Sequence, residues 1–301
     1  MLELFQQSFV QNAFLAGTIV ALVTAIMGYF VVLRAQAFAG HALSHIGFAG
    51  ATAAVLLGIS SLLGMFAFTL LAALGMGALG ERVRGRDVEI GMVLSFALGL
   101  GVLFLNLYTR QGAQTVGILF GSILSVTRSD VLVTLACGIA TLLLLILIFR
   151  PLLFASIDPE VAQARGVPVQ LLSVAFLLLL AITISEAVQV VGVLLVFALL
   201  VAPAAAAIRL TSRPAAALAL SIVLGLAFTW GGLVLAFVGR WPVSFYIAAL
   251  SALFYFAAIG LDRLRKPRRG LQSSIAPDSC KVLGHHPIGH EERMSASEAA
   301  H

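Results

Sequence analysis

Charge is what this chain of 301 residues lacks. Asp, Glu, Lys and Arg make up 10 % of it, against 61 % hydrophobic residues, and its mean hydropathy is +1.08. A soluble domain carries about 25 % charged residues, so a water-exposed enzyme fold is excluded and a polytopic membrane protein is indicated. Cysteine is almost as scarce. Cys137 sits in an apolar run and Cys280 in a polar stretch, so no disulfide framework exists. Lysine occurs only as Lys266 and Lys281, and neither completes the Gly-rich phosphate loop that precedes a Ser or Thr. The chain therefore does not hydrolyse ATP by itself, and no enzymatic role is expected. A cleavable signal is also missing, because Glu3 precedes the first apolar stretch without a basic region. The net charge of +5 and pI near 9.8 do not point to nucleic acid. In a membrane chain they reflect Lys and Arg gathered on the cytoplasmic side.

The sequence predicts an all-α fold, a helical bundle with about nine transmembrane helices. Polar and turn-forming punctuation delimits them near 10–33, 40–58, 61–80, 88–108, 129–149, 168–186, 190–208, 215–238 and 242–261. The stretch 111–126 is apolar but too short to cross, and its glycines suit a re-entrant or interfacial piece. Residues 2–9 suit a short interfacial helix. Runs rich in Gly and Ala, such as Ala202-Pro-Ala-Ala-Ala-Ala207, favour close helix packing. Pro203 within a span marks a kink or a hinge. The transmembrane domain ends near residue 262. Residues 263–301 begin with a basic cluster and continue as a polar tail that reads as disordered.

Orientation follows from the basic residues. Of 18 Lys and Arg, all but Arg110, Arg128 and Arg240 fall in one set of alternating loops or in the tail. That set is assigned to the cytoplasm, which puts the C-terminus inside and the N-terminus outside.

Ionisable groups inside the spans are few and therefore informative. His41 and His45 stand four residues apart, one turn on one helix face. Two neutral imidazoles at that spacing suit Zn²⁺ and other borderline transition metals, or else pair with water and backbone at a membrane interface. Glu186, Gln189 and Asn106 are candidates for a further ligand, Glu186 equally for an outer loop. A zinc protease would need Glu after the first His, and this chain has Ala42. No nucleophile motif supports a serine protease.

The loop Ser156–Pro168 predicts a short cytoplasmic helix. Asp158 caps it, Pro159 takes its first position, Glu160 favours its first turn and Gly166 ends it. It serves either as a connector or as a docking element. The tail contains Cys280, His285, His286 and His290, potential metal ligands, although an unselected tail explains them as well.

Four motifs occur in order: Val32-Leu-Arg34 with Gly40-His-Ala-Leu-Ser-His45, Leu119-Phe-Gly-Ser-Ile-Leu-Ser-Val-Thr-Arg-Ser-Asp130, Asp158-Pro-Glu-Val-Ala-Gln-Ala-Arg-Gly-Val-Pro168, and Val190–Ala205. Together they resemble the ABC-3 permeases of divalent-metal ATP-binding-cassette importers (zinc, manganese or iron), of the metal/cobalamin-uptake type. The resemblance covers most of residues 10–262. It implies a bacterial plasma-membrane permease working with cytoplasmic ATPase subunits, a solute-binding protein outside, and a second permease copy, most simply an identical one. It implies that the 158–168 loop is the coupling helix, with Asp158, Pro159, Glu160, Ala162 and Gly166 at the ATPase. It also implies that positions 41 and 45 line the metal path, with the metal as cargo and no permanent cofactor. Two departures stand out. The family carries Asp where this chain has His41, and often Pro where it has Ala49. Imidazole in place of a carboxylate favours Zn²⁺ over Mn²⁺. A self-contained proton-coupled transporter is the alternative, disfavoured because Glu186 is the one carboxylate embedded among the apolar runs.

Overall fold

A computed structural model describes residues 7–78, 86–107, 121, 123–239 and 241–265. Among them every regular element is helical: α1 Ser8–Leu33, α2 Ala37–Leu56, α3 Ser61–Ala78, α4 Arg86–Leu107, a 3₁₀ turn Ile123–Ser125, α5 Arg128–Ile157, α6 Pro159–Ala164, α7 Val169–Val191, α8 Val193–Leu210, α9 Pro214–Val238 and α10 Val243–Arg265. The protein is a polytopic membrane bundle, as the scarcity of charge requires.

Among the described residues, eight helices are long and apolar enough to cross a membrane. The ninth expected span, α2, is 20 residues long but is not among them, because the histidines and small residues dilute its apolar character. Its position accounts for this. α2 packs against α3, α4, α7 and α8, and fourteen of its residues are buried. A helix shielded from lipid by its neighbours does not need a lipid-compatible surface. The outer helices differ: α4 has 17 % of its apolar window buried, against 72 % for α7. α1 and α7 link two groups of helices. α1 packs with α5, α8 and α9, while α7 touches α3, α5, α1 and α2.

Three boundaries differ from the sequence expectation. The fifth span does not stop at 149. α5 continues through Pro151 to Ile157, because a proline interrupts one backbone bond without ending a helix held by packing. α5 starts with a reciprocal cap in which the Asp130 amide donates to Thr127 Oγ1 at 3.3 Å and the Thr127 amide donates to Asp130 Oδ2 at 3.0 Å. Likewise, no loop separates 186 from 190. α7 runs on to Val191, and a single residue, Gly192, divides it from α8. Glu186 and Gln189 read as punctuation in the sequence, yet both are side chains within the helix, and Glu186 is only 5 % exposed. Gly192 adopts φ +87° and ψ 159°, a region essentially limited to glycine. Gly121 lies against this joint so tightly that a Cβ there would collide with the Val191 carbonyl. Of the 111–126 stretch, only the end near 121–126 is described. Ile123 is buried and reaches Gly17 of α1. The expected interfacial helix at 2–9 lies largely outside the described residues, and α1 begins at Ser8. The tail ligands Cys280, His285, His286 and His290 also lie outside them.

Candidate functional site

Close helix packing lies beside the His pair. α1 and α8 meet at Gly28, where a Cβ would strike the Leu200 carbonyl. The Leu200 side chain then reaches Gly40, where a Cβ would lie 3.0 Å from Leu200 Cδ2. Leu200 thus seats α8 against both α1 and the first turns of α2, next to His41. With a rise of about 1.5 Å per residue, Gly28 is about 8 Å from the Leu33 end of α1, and His41 about 6 Å and His45 about 12 Å from the Ala37 end of α2.

His41 and His45 share a face of α2 as the spacing predicts. Their ring centroids are 4.6 Å apart at an interplanar angle of 81°. Two imidazoles sharing one ion at Zn–N bonds of about 2.0–2.1 Å have centroids roughly 5 Å apart, so the rings are within reach of a common ion. Both Nδ1 atoms are buried and have no hydrogen-bond partner among the described residues. An unsatisfied buried polar atom costs about 1–3 kcal/mol, which a coordinated cation would recover. On its other side His41 contacts Phe197 of α8, with centroids 5.0 Å apart at 67°.

The Ser44 hydroxyl donates to the His41 carbonyl at 2.7 Å. Elsewhere on α2, Thr69 of α3 faces Gly47; it shares a 2.7 Å hydroxyl–hydroxyl bond with Ser185 of α7 and donates to the Met65 carbonyl. Among the described residues no three His, Cys, Asp or Glu side chains gather to hold a metal. Glu186 is therefore buried in α7 rather than in an outer loop, and it does not form a three-ligand cluster with the pair. Asn106 is exposed and donates to the Val102 carbonyl of its own helix. Gln189 is half-buried on α7.

The 158–168 loop folds as its residues dictate. Asp158 Oδ1 accepts from the Val161 amide at 3.0 Å, and Pro159 is the first residue of α6. Gly166 turns the chain at φ +81°, and Pro168 caps α7. Asp158, Pro159, Glu160 and Gly166 are exposed, as is the apolar Val161. Ala162 is fully buried and seats α6 on the bundle. Arg165 lies over the Phe154 ring, with Cζ 5.9 Å from its centroid.

Phe197 is the site residue that the sequence did not reveal. It lies inside a motif used for the resemblance, but a Phe in an apolar span carries no signal of its own. Only the crossing of α8 over α2 brings it to His41.

The family model of the ABC 3 transport family matches residues 6–261. The chain is 35 % identical over 232 residues to the manganese transport system membrane protein MntC of Halalkalibacterium halodurans, covering 77 % of this chain and 80 % of that protein. It is 32 % identical to a probable iron transport system membrane protein of Haemophilus influenzae, over 88 % of this chain and 98 % of that one. Among solved structures, PsaBC from Streptococcus pneumoniae in complex with Fab superposes with a TM-score of 0.77 at 29 % identity, covering 86 % of this chain and 95 % of that one. With its eight apolar spans and a match running almost from end to end of the bundle, the chain belongs to the ABC 3 transport family.

Proposed function

We propose that the protein is the membrane permease subunit of an ABC importer for a divalent transition metal, with Zn²⁺ as the preferred cargo. The observation that carries this reading is the His41–His45 pair, with two buried Nδ1 atoms lacking partners. Nitrogen donors suit Zn²⁺, whereas Mn²⁺ prefers oxygen. Manganese is the second reading, favoured by the Halalkalibacterium halodurans relative, a manganese transport system membrane protein. Iron is favoured in the same way by the Haemophilus influenzae relative.

A transport site must release what it binds. Two imidazoles without a third ionisable ligand among the described residues would hold an ion loosely, as a way station. The energy would come from separate ATPase subunits docking on α6, whose exposed face offers Asp158, Pro159, Glu160 and Val161. From α6 the chain leads through Gly166 and Pro168 directly into α7, then through Gly192 into α8 and Phe197. One covalent path thus joins the docking element to the wall of the metal site, a fitting route for alternating access. The remaining parts of the reading are a solute-binding protein delivering metal outside, a second copy of the permease, and a cytoplasmic C-terminus set by the basic loops.

The test is metal uptake by the reconstituted complex of permease, ATPase and binding protein, compared across Zn²⁺, Mn²⁺ and Fe²⁺. We expect ATP-dependent Zn²⁺ uptake that is lost in the double variant His41→Ala/His45→Ala. Wild-type rates in that variant would remove the pair from the path. Uptake without any ATPase, driven by a proton gradient, would replace the importer reading by a secondary transporter.

A further inference from the structure

We propose that Phe197 is a specificity-determining residue: an apolar wall beside the His pair that keeps the coordination number low and so selects Zn²⁺ over Mn²⁺. The proposal rests on the reading of His41 and His45 as the cargo site.

The three rings form a chain from His45 through His41 to Phe197, with centroid separations of 4.6 and 5.0 Å. All three are half-buried, so each borders space that the protein does not fill. An ion bound to both imidazoles must take its other ligands from that space. The Ser44 hydroxyl, between the two histidines in sequence, is turned back onto its own helix. No third ionisable ligand joins the pair among the described residues. The remaining ligands are therefore waters or groups brought by a moving element.

The two metals differ in how many such ligands they require. Zn²⁺ is satisfied with about four in a tetrahedron. Mn²⁺ favours about six, mostly oxygen, in an octahedron. A six-coordinate ion on this pair would need to retain about four waters. A benzyl ring against His41 occupies part of their volume and offers them no hydrogen bond. Water held against an apolar face without partners is costly. The ring thus penalises the hydrated, six-coordinate ion and spares the four-coordinate one. This is discrimination by exclusion rather than by attraction.

Such a wall works only if it cannot retreat. Phe197 precedes Leu200 by less than one helical turn, and Leu200 is pinned by backbone against Gly28 and by its side chain against Gly40. In this conformation Leu200 therefore seats α8 against both α1 and α2 and keeps the Phe197 backbone beside His41.

Co²⁺ is the probe, because its visible absorption is strong in four-coordinate sites and weak in six-coordinate ones. The full complex in nanodiscs is titrated with Co²⁺, and Zn²⁺ and Mn²⁺ are then competed against it. We expect a four-coordinate spectrum in the wild type. In Phe197→Ser we expect a shift to the six-coordinate form and a fall of at least tenfold in the Zn²⁺/Mn²⁺ affinity ratio. Phe197→Leu, which keeps an apolar side chain, retains both wild-type properties. A six-coordinate wild-type spectrum overturns the proposal without recourse to any variant. So does an unchanged ratio and spectrum in Phe197→Ser while His41→Ala/His45→Ala abolishes Co²⁺ binding; in that case the His pair stands and only the wall falls. Wild-type Co²⁺ binding that survives the double His variant overturns the site itself, and the wall with it.

Discussion

Replacing Gly28 by Ala tests whether α1 and α8 meet backbone to backbone. The added Cβ would collide with the Leu200 carbonyl oxygen and lie 2.8 Å from its carbon and 3.4 Å from Cα. Carbon atoms rest at about 3.5–4.0 Å, so α8 must withdraw by roughly 1 Å. Forcing a methyl group into a filled interior costs about 1–3 kcal/mol. Alanine recovers about 1 kcal/mol through its better helix propensity. A control separates the two effects. A Cβ at Gly75 of α3 meets nothing within 4 Å, so Gly75→Ala carries only the propensity gain. The difference between the variants is then the packing cost alone. Each kcal/mol shifts the melting temperature by about 2–4 °C in chains approaching this length. Gly28→Ala should therefore melt roughly 2–12 °C below Gly75→Ala. The assay is the loss of the monodisperse peak after heating detergent-solubilised protein at one fixed rate, since unfolding of such proteins is governed kinetically. Equal melting temperatures would refute the close approach, and with it the argument that Leu200 fixes α8.

Other substitutions test separate parts of the structure. His41→Asp installs a hard oxygen donor, so competition titration should show the Zn²⁺/Mn²⁺ affinity ratio falling. Glu186→Gln should leave Co²⁺ binding to the His pair unchanged, because Glu186 does not cluster with it. Asp158→Ala removes the bond from the Val161 amide, at a cost of about 0.5–2 kcal/mol to α6. It should lower transport-coupled ATP hydrolysis while metal binding persists. Ala35 holds φ +53° at the end of α1, a conformation costing a non-Gly residue about 1–2 kcal/mol. Ala35→Gly should raise the melting temperature by a few degrees.

What could be read from the sequence was local. Asp158, Pro159 and Gly166 specify their helix through a cap, a fixed φ and a left-handed turn, all decided within nine residues. The His spacing likewise fixes a shared face, whatever surrounds it. The missed features depend on tertiary contacts. Read from the sequence, the fifth span ends at 149, but packing carries α5 through Pro151 to Ile157. For Glu186 the sequence leaves a place within the spans and an outer loop equally open, and only the bundle's packing shows it buried. A lone Gly192 in an apolar run gave no sign that Gly121 would press against it. Phe197 became legible only once α8 crossed α2.

The shielding of α2 has a consequence for how the protein is made. α2 leaves the ribosome before α3, α4, α7 and α8, the helices that later surround it. At that moment it must enter the bilayer with two imidazoles and no neighbours except α1, to which only residues 34–36 connect it. It is not apolar enough to rank with the eight independent spans. Its residence in the membrane during synthesis thus rests on α1, inserted with it as a helical hairpin, and becomes secure only when the later helices arrive. Truncations ending after α2 should leave it accessible to membrane-impermeant reagents, and those extending through α8 should not. The helix that carries the two imidazoles is thus settled only by helices made after it.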